Sequence, residues 1–245
     1  MSNLSRRKLI TTGLAATAGA SGLAVAARLA GRHGLIPPDH GGIYGPGETL
    51  TYASQRLLTR HSLAREFPRS QISTRPFANG NPPQDGNFKR LQAGGFADWR
   101  LAIDGMVAHP TLLSLAELMH YPSRSQITHL ACEEGWSFIA EWIGVPLFHV
   151  LDIVGILPQA RYVVYFSIQR GWRDSIDMAD ALHPQTLLTY GMNGGELPVG
   201  HGGPLRLRVP RQLGYKSVKY ITRLTVTDSL KEFSAGGSYS WYAGI

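Results

Sequence analysis

Only one cysteine, Cys132, occurs in the 245 residues. No internal disulfide can form, and no Cys/His cluster of the kind a zinc, iron–sulfur or heme centre needs is present. Acidic residues are missing before Asp39, a stretch that holds Arg6, Arg7, Lys8, Arg28 and Arg32. Those five carry most of the net charge of +7; the rest of the chain sets 19 basic groups against 17 acidic ones. A nucleic-acid footprint puts its cations on the folded face, so that class of partner is set aside. Charged residues make up 17% of the chain and apolar ones 43%, too apolar a mixture for disorder. Its 28 glycines and 15 prolines fall short of a low-complexity share and follow no repeat. What is left is a loop-rich globular protein with a core.

Arg6-Arg7-Lys8 precedes an uncharged stretch from Leu9 to Ala27 that is mostly Ala, Gly, Thr and Leu. A positive start followed by a moderately apolar run is an export signal. The adjacent arginines after Ser5 resemble the twin-arginine signal, whose pathway carries folded proteins. About 20 apolar residues can also span a bilayer. Residues 1–32 therefore read as a signal segment, either cleaved or kept as an anchor, that places the domain in the periplasm. Residues 33–87, dense in Gly, Pro, Asn, Arg and Ser, predict an extended arm with loops. Residues 88–245 predict one domain.

Within that domain, strands are expected over 99–107, 127–132, 161–168, 205–209 and 218–226. A short helix is expected over 111–120, with Ser114 and Glu117 as a capping box, and another over 146–156 with Pro in its first turn. Strands outnumber helices without alternating regularly, which gives an α+β class with mixed sheets and short helices.

Cys132 ends an apolar run and is followed at once by Glu133, Glu134 and Gly135. A lone cysteine is commonly a small buried hydrophobe. At a strand end opening into a loop it can instead, as a thiolate, attack a substrate or hold a soft metal.

Cys132-Glu-Glu-Gly-Trp136-Ser-Phe-Ile-Ala-Glu-Trp142-Ile-Gly-Val-Pro146 resembles the metal-ligand segment of the sulfite oxidase family of molybdenum–pterin oxidoreductases. His183-Pro to Leu197-Pro198, His201-Gly-Gly-Pro204-Leu-Arg206 and Gly214-Tyr-Lys-Ser217-Val218-Lys219 are similar to further family segments, in order, over about residues 99–228. The resemblance implies a molybdenum–molybdopterin cofactor with Cys132 as the metal ligand. It also implies that Asn79, Ser167, His201, Arg206, Ser217, Val218 and Lys219 contact the pterin and its phosphate. Chemically these suit: His201, Arg206 and Lys219 supply donors, while Gly202, Gly203 and Gly214 let the main chain come close. Taken singly, each also fits a turn or a solvated strand.

Sulfite-oxidising members place an Arg before the polar-loop Asn and a Tyr where Trp172 stands; here Ala78 removes that bidentate cation. The expected substrate is thus a small S- or N-oxide rather than sulfite, with Trp172 as an apolar wall and Arg170 and Arg173 flanking it. The chain resembles more the compact bacterial branch that includes the catalytic subunit of the periplasmic methionine-sulfoxide reductase than the sulfite-oxidising members. That implies a heme-containing membrane electron donor, the twin-arginine export machinery as a further partner, and a monomer. Two-electron oxygen-atom transfer is the expected chemistry, and Glu134 is an acid/base candidate that could equally anchor its loop. Trp136 and Trp142 are expected to pack beneath the Cys132 loop. Two other classes stay open: a cysteine hydrolase using Cys132 with His129 or His201, and a non-catalytic cofactor-binding module of the same fold.

Overall fold

The structure, a computed structural model, describes residues 22, 24–31, 34–37 and 45–233. Arg6, Arg7 and most of the signal segment lie outside them. No helix among the described residues is long and apolar enough to cross a membrane. The chain divides into two units, Met1–Arg60 and His61–Ile245.

The first unit contains helix α1, Gly45–Leu58, where an extended arm is expected. The correction has a physical reason. Buried positions of α1 include Glu48, Tyr52 and Arg56, a stripe at i, i+4 and i+8 in which two of three residues are charged. An apolar helical period cannot register there.

The second unit begins ahead of the expected start at residue 88. Its first residues are tied along later strands: Ala64 N donates to Gln185 Oε1 at 2.7 Å, Phe67 N to Ile127 O at 2.9 Å and Ser73 N to Ile139 O at 2.9 Å. Helix α2, Gly86–Ala93, starts where the Asp85 carboxylate accepts from Phe88 N.

Two five-stranded sheets follow. In the first, β1 (Arg100–Gly105), β2 (Thr111–Ser114), β5 (Tyr162–Ser167), β6 (Arg173–Asp177) and β10 (Ile221–Thr227) lie in the order β2-β1-β10-β5-β6. Only β1 and β10 run parallel; the other neighbours are antiparallel. In the second, β3 (Arg124–Ala131), β4 (Ser137–Pro146), β7 (Leu187–Met192) and β8 (Gly195–Glu196) lie in sequence order, and β9 (Arg206–Arg208) pairs with β7. Short helices α3 (Leu115–Met119), α4 (Leu147–Val154) and α5 (Met178–Ala181) connect them, so the expected α+β class is the observed one.

The capping box opens α3 as expected: Ser114 Oγ accepts from Glu117 N at 3.2 Å and Glu117 Oε2 from Ser114 N at 2.7 Å. One core joins both sheets through α4, with Trp99, Leu101, Ile103, Leu147, Leu151, Val163, Leu188, Leu207 and Leu224 all buried. A smaller cluster of Leu130, Phe138, Ala140, Trp142, Leu187, Met192 and Leu197 lies under the β3–β4 hairpin. That hairpin is the device that positions the site.

Candidate active site

Ala131 on β3 faces Ser137 on β4, and beyond that pair Cys132 N donates to Trp136 O at 2.9 Å. Glu133, Glu134 and Gly135 are left as a three-residue turn, with Gly135 at φ 90°. Hairpin loops of this length place glycine in that left-handed region because it has no Cβ to clash. Cys132 therefore sits at the hairpin tip, partly buried, in the wall of a cavity of about 390 Å³.

The residues expected from the sequence at the metal and the cofactor all line one cavity: Asn79, Cys132, Glu134, Ser167, His201, Arg206, Ser217, Val218 and Lys219. They come from separate elements. Asn79 belongs to the segment 77–81, Ser167 ends β5, His201 closes the 3-10 turn Val199–His201, and Arg206 opens β9. Ser217 to Lys219 lie between the 3-10 turn Gly214–Lys216 and β10. Gly202, at φ 110°, makes the packing feasible, since a Cβ there would stand 2.9 Å from Lys219 Cβ and 3.2 Å from Arg206 Cβ.

One bank of the cavity is cationic. Arg206 Nη1 donates to His201 O at 2.8 Å and Nη2 to Ser217 O at 2.6 Å, while its Nε has no partner. Lys219 Nζ donates to Asn79 O and to Gly200 O, both at 2.6 Å. Behind them lies Arg208, fully buried. No carboxylate comes within 4 Å of these three cations among the described residues. Burial, and then Arg206, lowers the Lys219 ammonium to about 8, and burial lowers the Arg206 guanidinium to about 10. His201 is pushed down to about 4 by burial, then by Arg206 and Lys219, so its imidazole is neutral at pH 7.

The other bank is anionic. Cys132 Sγ lies 3.3 Å from Glu133 Oε2 and 3.9 Å from Glu134 Oε2. Burial, reinforced by these carboxylates, pushes the thiol up to about 11. Glu134 Oε2 also accepts from Asn79 Nδ2 at 3.2 Å and from Trp136 Nε1 at 2.9 Å. It thereby ties the 77–81 segment to the hairpin, the anchoring role of its two readings.

A group that brings an anion to one bank and a metal cation to the other would satisfy both. Buried cations without a counter-ion, one with an idle N–H, match a phosphate. A protonated thiol flanked by two carboxylates matches a metal that displaces its proton. The volume is that of an ordinary small-molecule site. The residues present fit a phosphorylated pterin carrying a metal.

Several lining residues went unforeseen. Phe77, Trp136 and Phe138 form an aromatic wall, with centroids 5.0 Å apart for Phe77 and Trp136 and 6.2 Å for Trp136 and Phe138. Trp136 is thus in the cavity wall rather than beneath the loop, whereas Trp142 is fully buried as expected. Trp172 lines the cavity while 63% exposed, and Phe77 does so at 52%. Arg170 and Arg173 do not line it. Arg173 pairs across from Phe166, the neighbour of the lining Ser167, and strand alternation turns it to the opposite face. The hydrolase reading loses ground in the geometry: His129 does not line the cavity, His201 lines it but is not a partner of Sγ, whose partners are carboxylates, and the thiol is raised rather than activated.

The His201 shift has a measurable consequence. Its folded value near 4 lies below the ordinary 6.5, so between the two the unfolded chain binds the extra proton and stability is lost as the pH is lowered. Thermal midpoints should decline from pH 7 toward 4, and His201→Gln should flatten part of that decline. An unchanged slope would assign it to other groups.

Residues 89–233 match the family model described as the oxidoreductase molybdopterin binding domain. A subunit of protein-methionine-sulfoxide reductase from Azospira oryzae is 40% identical over 189 residues, 77% of this chain and 70% of that protein. The catalytic subunits of the same enzyme from Xanthomonas axonopodis and Ralstonia nicotianae are 36% identical over 149 residues and 31% over 166. These stretches cover 55% and 60% of this chain but only 46% and 50% of those relatives, so the chain spans about half their length. Among solved structures, the sulfane dehydrogenase SoxCD from Paracoccus pantotrophus superposes with a TM-score of 0.52 at 25% identity, over 54% of this chain and 39% of that one. The fold is the sulfite oxidase-like one expected. With more than half its length inside the family model, the chain belongs to the molybdopterin-binding oxidoreductases, and its cofactor is molybdenum–molybdopterin.

Proposed function

We propose that this chain is the catalytic subunit of a periplasmic reductase that removes oxygen from methionine sulfoxide in proteins. The observation that carries the reading is the pairing of one thiol with a buried cationic bank across a single cavity whose mouth is aromatic. The names of the relatives support the sulfoxide as substrate. Arg6-Arg7 support export. Description of the relatives as subunits supports a separate electron donor, which the family resemblance makes a heme-bearing membrane protein.

The bound cofactor supplies two-electron oxygen-atom transfer, in which a sulfoxide takes up two electrons and two protons and gives a thioether and water. Cys132 holds the metal as a thiolate and gives up its proton, and Glu133 Oε2, 3.3 Å away, is the nearest base. Arg206, Ser217 and Lys219 would hold the phosphate. Neutral His201 and Asn79 offer hydrogen bonds to the flat ring edge. Trp172, Phe77 and Trp136 receive a methyl thioether and exclude water. A sulfite dianion meets no free cation at Ala78 and two carboxylates beside the thiol, so the pocket selects a neutral oxide.

One experiment tests substrate and location together. Cells expressing the full chain in a host that makes the cofactor are fractionated, and each fraction is assayed for sulfoxide reduction with reduced viologen as donor and, separately, for sulfite oxidation with ferricyanide as acceptor. Reduction of a methionine-sulfoxide peptide in the periplasmic fraction, at a rate at least about tenfold above oxidation of sulfite, is expected; a tenfold ratio corresponds to about 1.4 kcal/mol of discrimination. Activity on sulfite alone, or activity confined to the cytoplasm, would overturn the corresponding half.

A further inference from the structure

Arg208 does not line the cavity, and its side chain is fully buried. Its Nη2 donates to His129 O at 2.5 Å and to Thr128 Oγ1 at 3.3 Å, and its Nη1 to Ser217 Oγ at 3.4 Å. His129 and Thr128 lie on β3, a few positions ahead of Cys132; Ser217 begins the loop assigned to the phosphate. The guanidinium also lies 5.4 Å from the ring centroid of Trp142, on the hairpin's other strand, with Arg206 at 5.3 Å from the same ring. One planar fork thus touches both strands of the Cys132 hairpin and the cofactor loop.

We propose that Arg208 is a positioning residue that sets the separation between the Cys132 hairpin and the Ser217–Lys219 loop, and so governs how firmly the cofactor is held. The proposal rests on the site assignment above. Core packing alone does not account for this residue, because an apolar side chain of similar length fills the slot without desolvating a charge. What the apolar substitute lacks is a rigid set of donors matched to three oxygens on two elements. Ser217 Oγ also accepts from Val209 N at 3.2 Å, so its orientation is shared between the backbone just after β9 and the guanidinium. Groups that orient ligands from behind commonly alter metal affinity by about 10–100-fold when removed.

The test compares wild type with Arg208→Met and Arg208→Lys, each purified as the loaded enzyme. The readouts are the molybdenum-to-protein ratio, the half-time of molybdenum loss on dilution, and the metal–thiolate absorption band. Far-UV circular dichroism checks the fold. For Arg208→Met we expect native dichroism, loss of molybdenum about tenfold faster and a shifted band. Arg208→Lys, which keeps the charge but not the fork, should fall between. Retention and band equal to wild type in both variants would overturn the proposal. If Arg208→Met does not accumulate, Arg208→Lys and Thr128→Val carry the test, and wild-type retention in both overturns it equally. Wild type without molybdenum would sink the site assignment itself, an outcome separate from failure of Arg208.

Discussion

Cys132→Ala should lose turnover by at least about 100-fold and emerge from a cofactor-making host with little molybdenum. That is the upper end of the loss seen when a group that merely supports a metal ligand is removed, and here the ligand itself goes. The fold should persist. Cys132 is only partly buried at a hairpin tip, and the bonds that shape the tip are backbone ones, Cys132 N to Trp136 O and Gly135 N to Cys132 O at 2.9 and 3.1 Å. Removing one sulfur from such a position should lower stability by no more than about 1 kcal/mol. Molybdenum by mass spectrometry, steady-state rates and a thermal melt read the three effects separately. A variant that keeps wild-type turnover and stoichiometric metal would remove the thiolate from the coordination sphere.

The protein without its cofactor should melt well below the loaded form. Buried Arg206 and Arg208 and half-buried Lys219 are held with neutral partners alone, so the empty fold carries uncompensated charge that a phosphate would neutralise. A ligand present at a thousand times its dissociation constant adds about 4 kcal/mol. For a unit of this size each kcal/mol moves the midpoint by about 2–4 °C. A gap of about 10 °C is therefore expected between protein from a cofactor-deficient host and the loaded enzyme. Coincident melts would show that the cationic bank does not hold the phosphate.

Much of this site was legible before any coordinates. His201, Arg206, Ser217 and Lys219 could be read because their segments follow one another in the family's order, and Cys132 because its stretch resembles the family's metal-ligand segment. Local rules found the capping box of α3 and the glycine turn after Cys132, since both are decided by neighbouring residues. Strand β4 was not read, because its buried residues include Glu141 and its last residues are Gly144, Val145 and Pro146. Arg208 was invisible for a related reason. Its importance lies in oxygens about 80 residues earlier, on Thr128 and His129, and no local pattern encodes that distance. Trp136 was misplaced because burial under the hairpin and exposure to the cavity give the same aromatic signature.

The parallel pair of β1 and β10 sets an order of events during synthesis. Strand β10 lies between β1 and β5, so the first sheet stays split until the ribosome has released residues near the end of the domain. The loop bearing Ser217 and Lys219 emerges just ahead of that strand. Long-range closures of this kind come late in folding. The nascent chain therefore keeps its pocket unfinished until the last strand slots in.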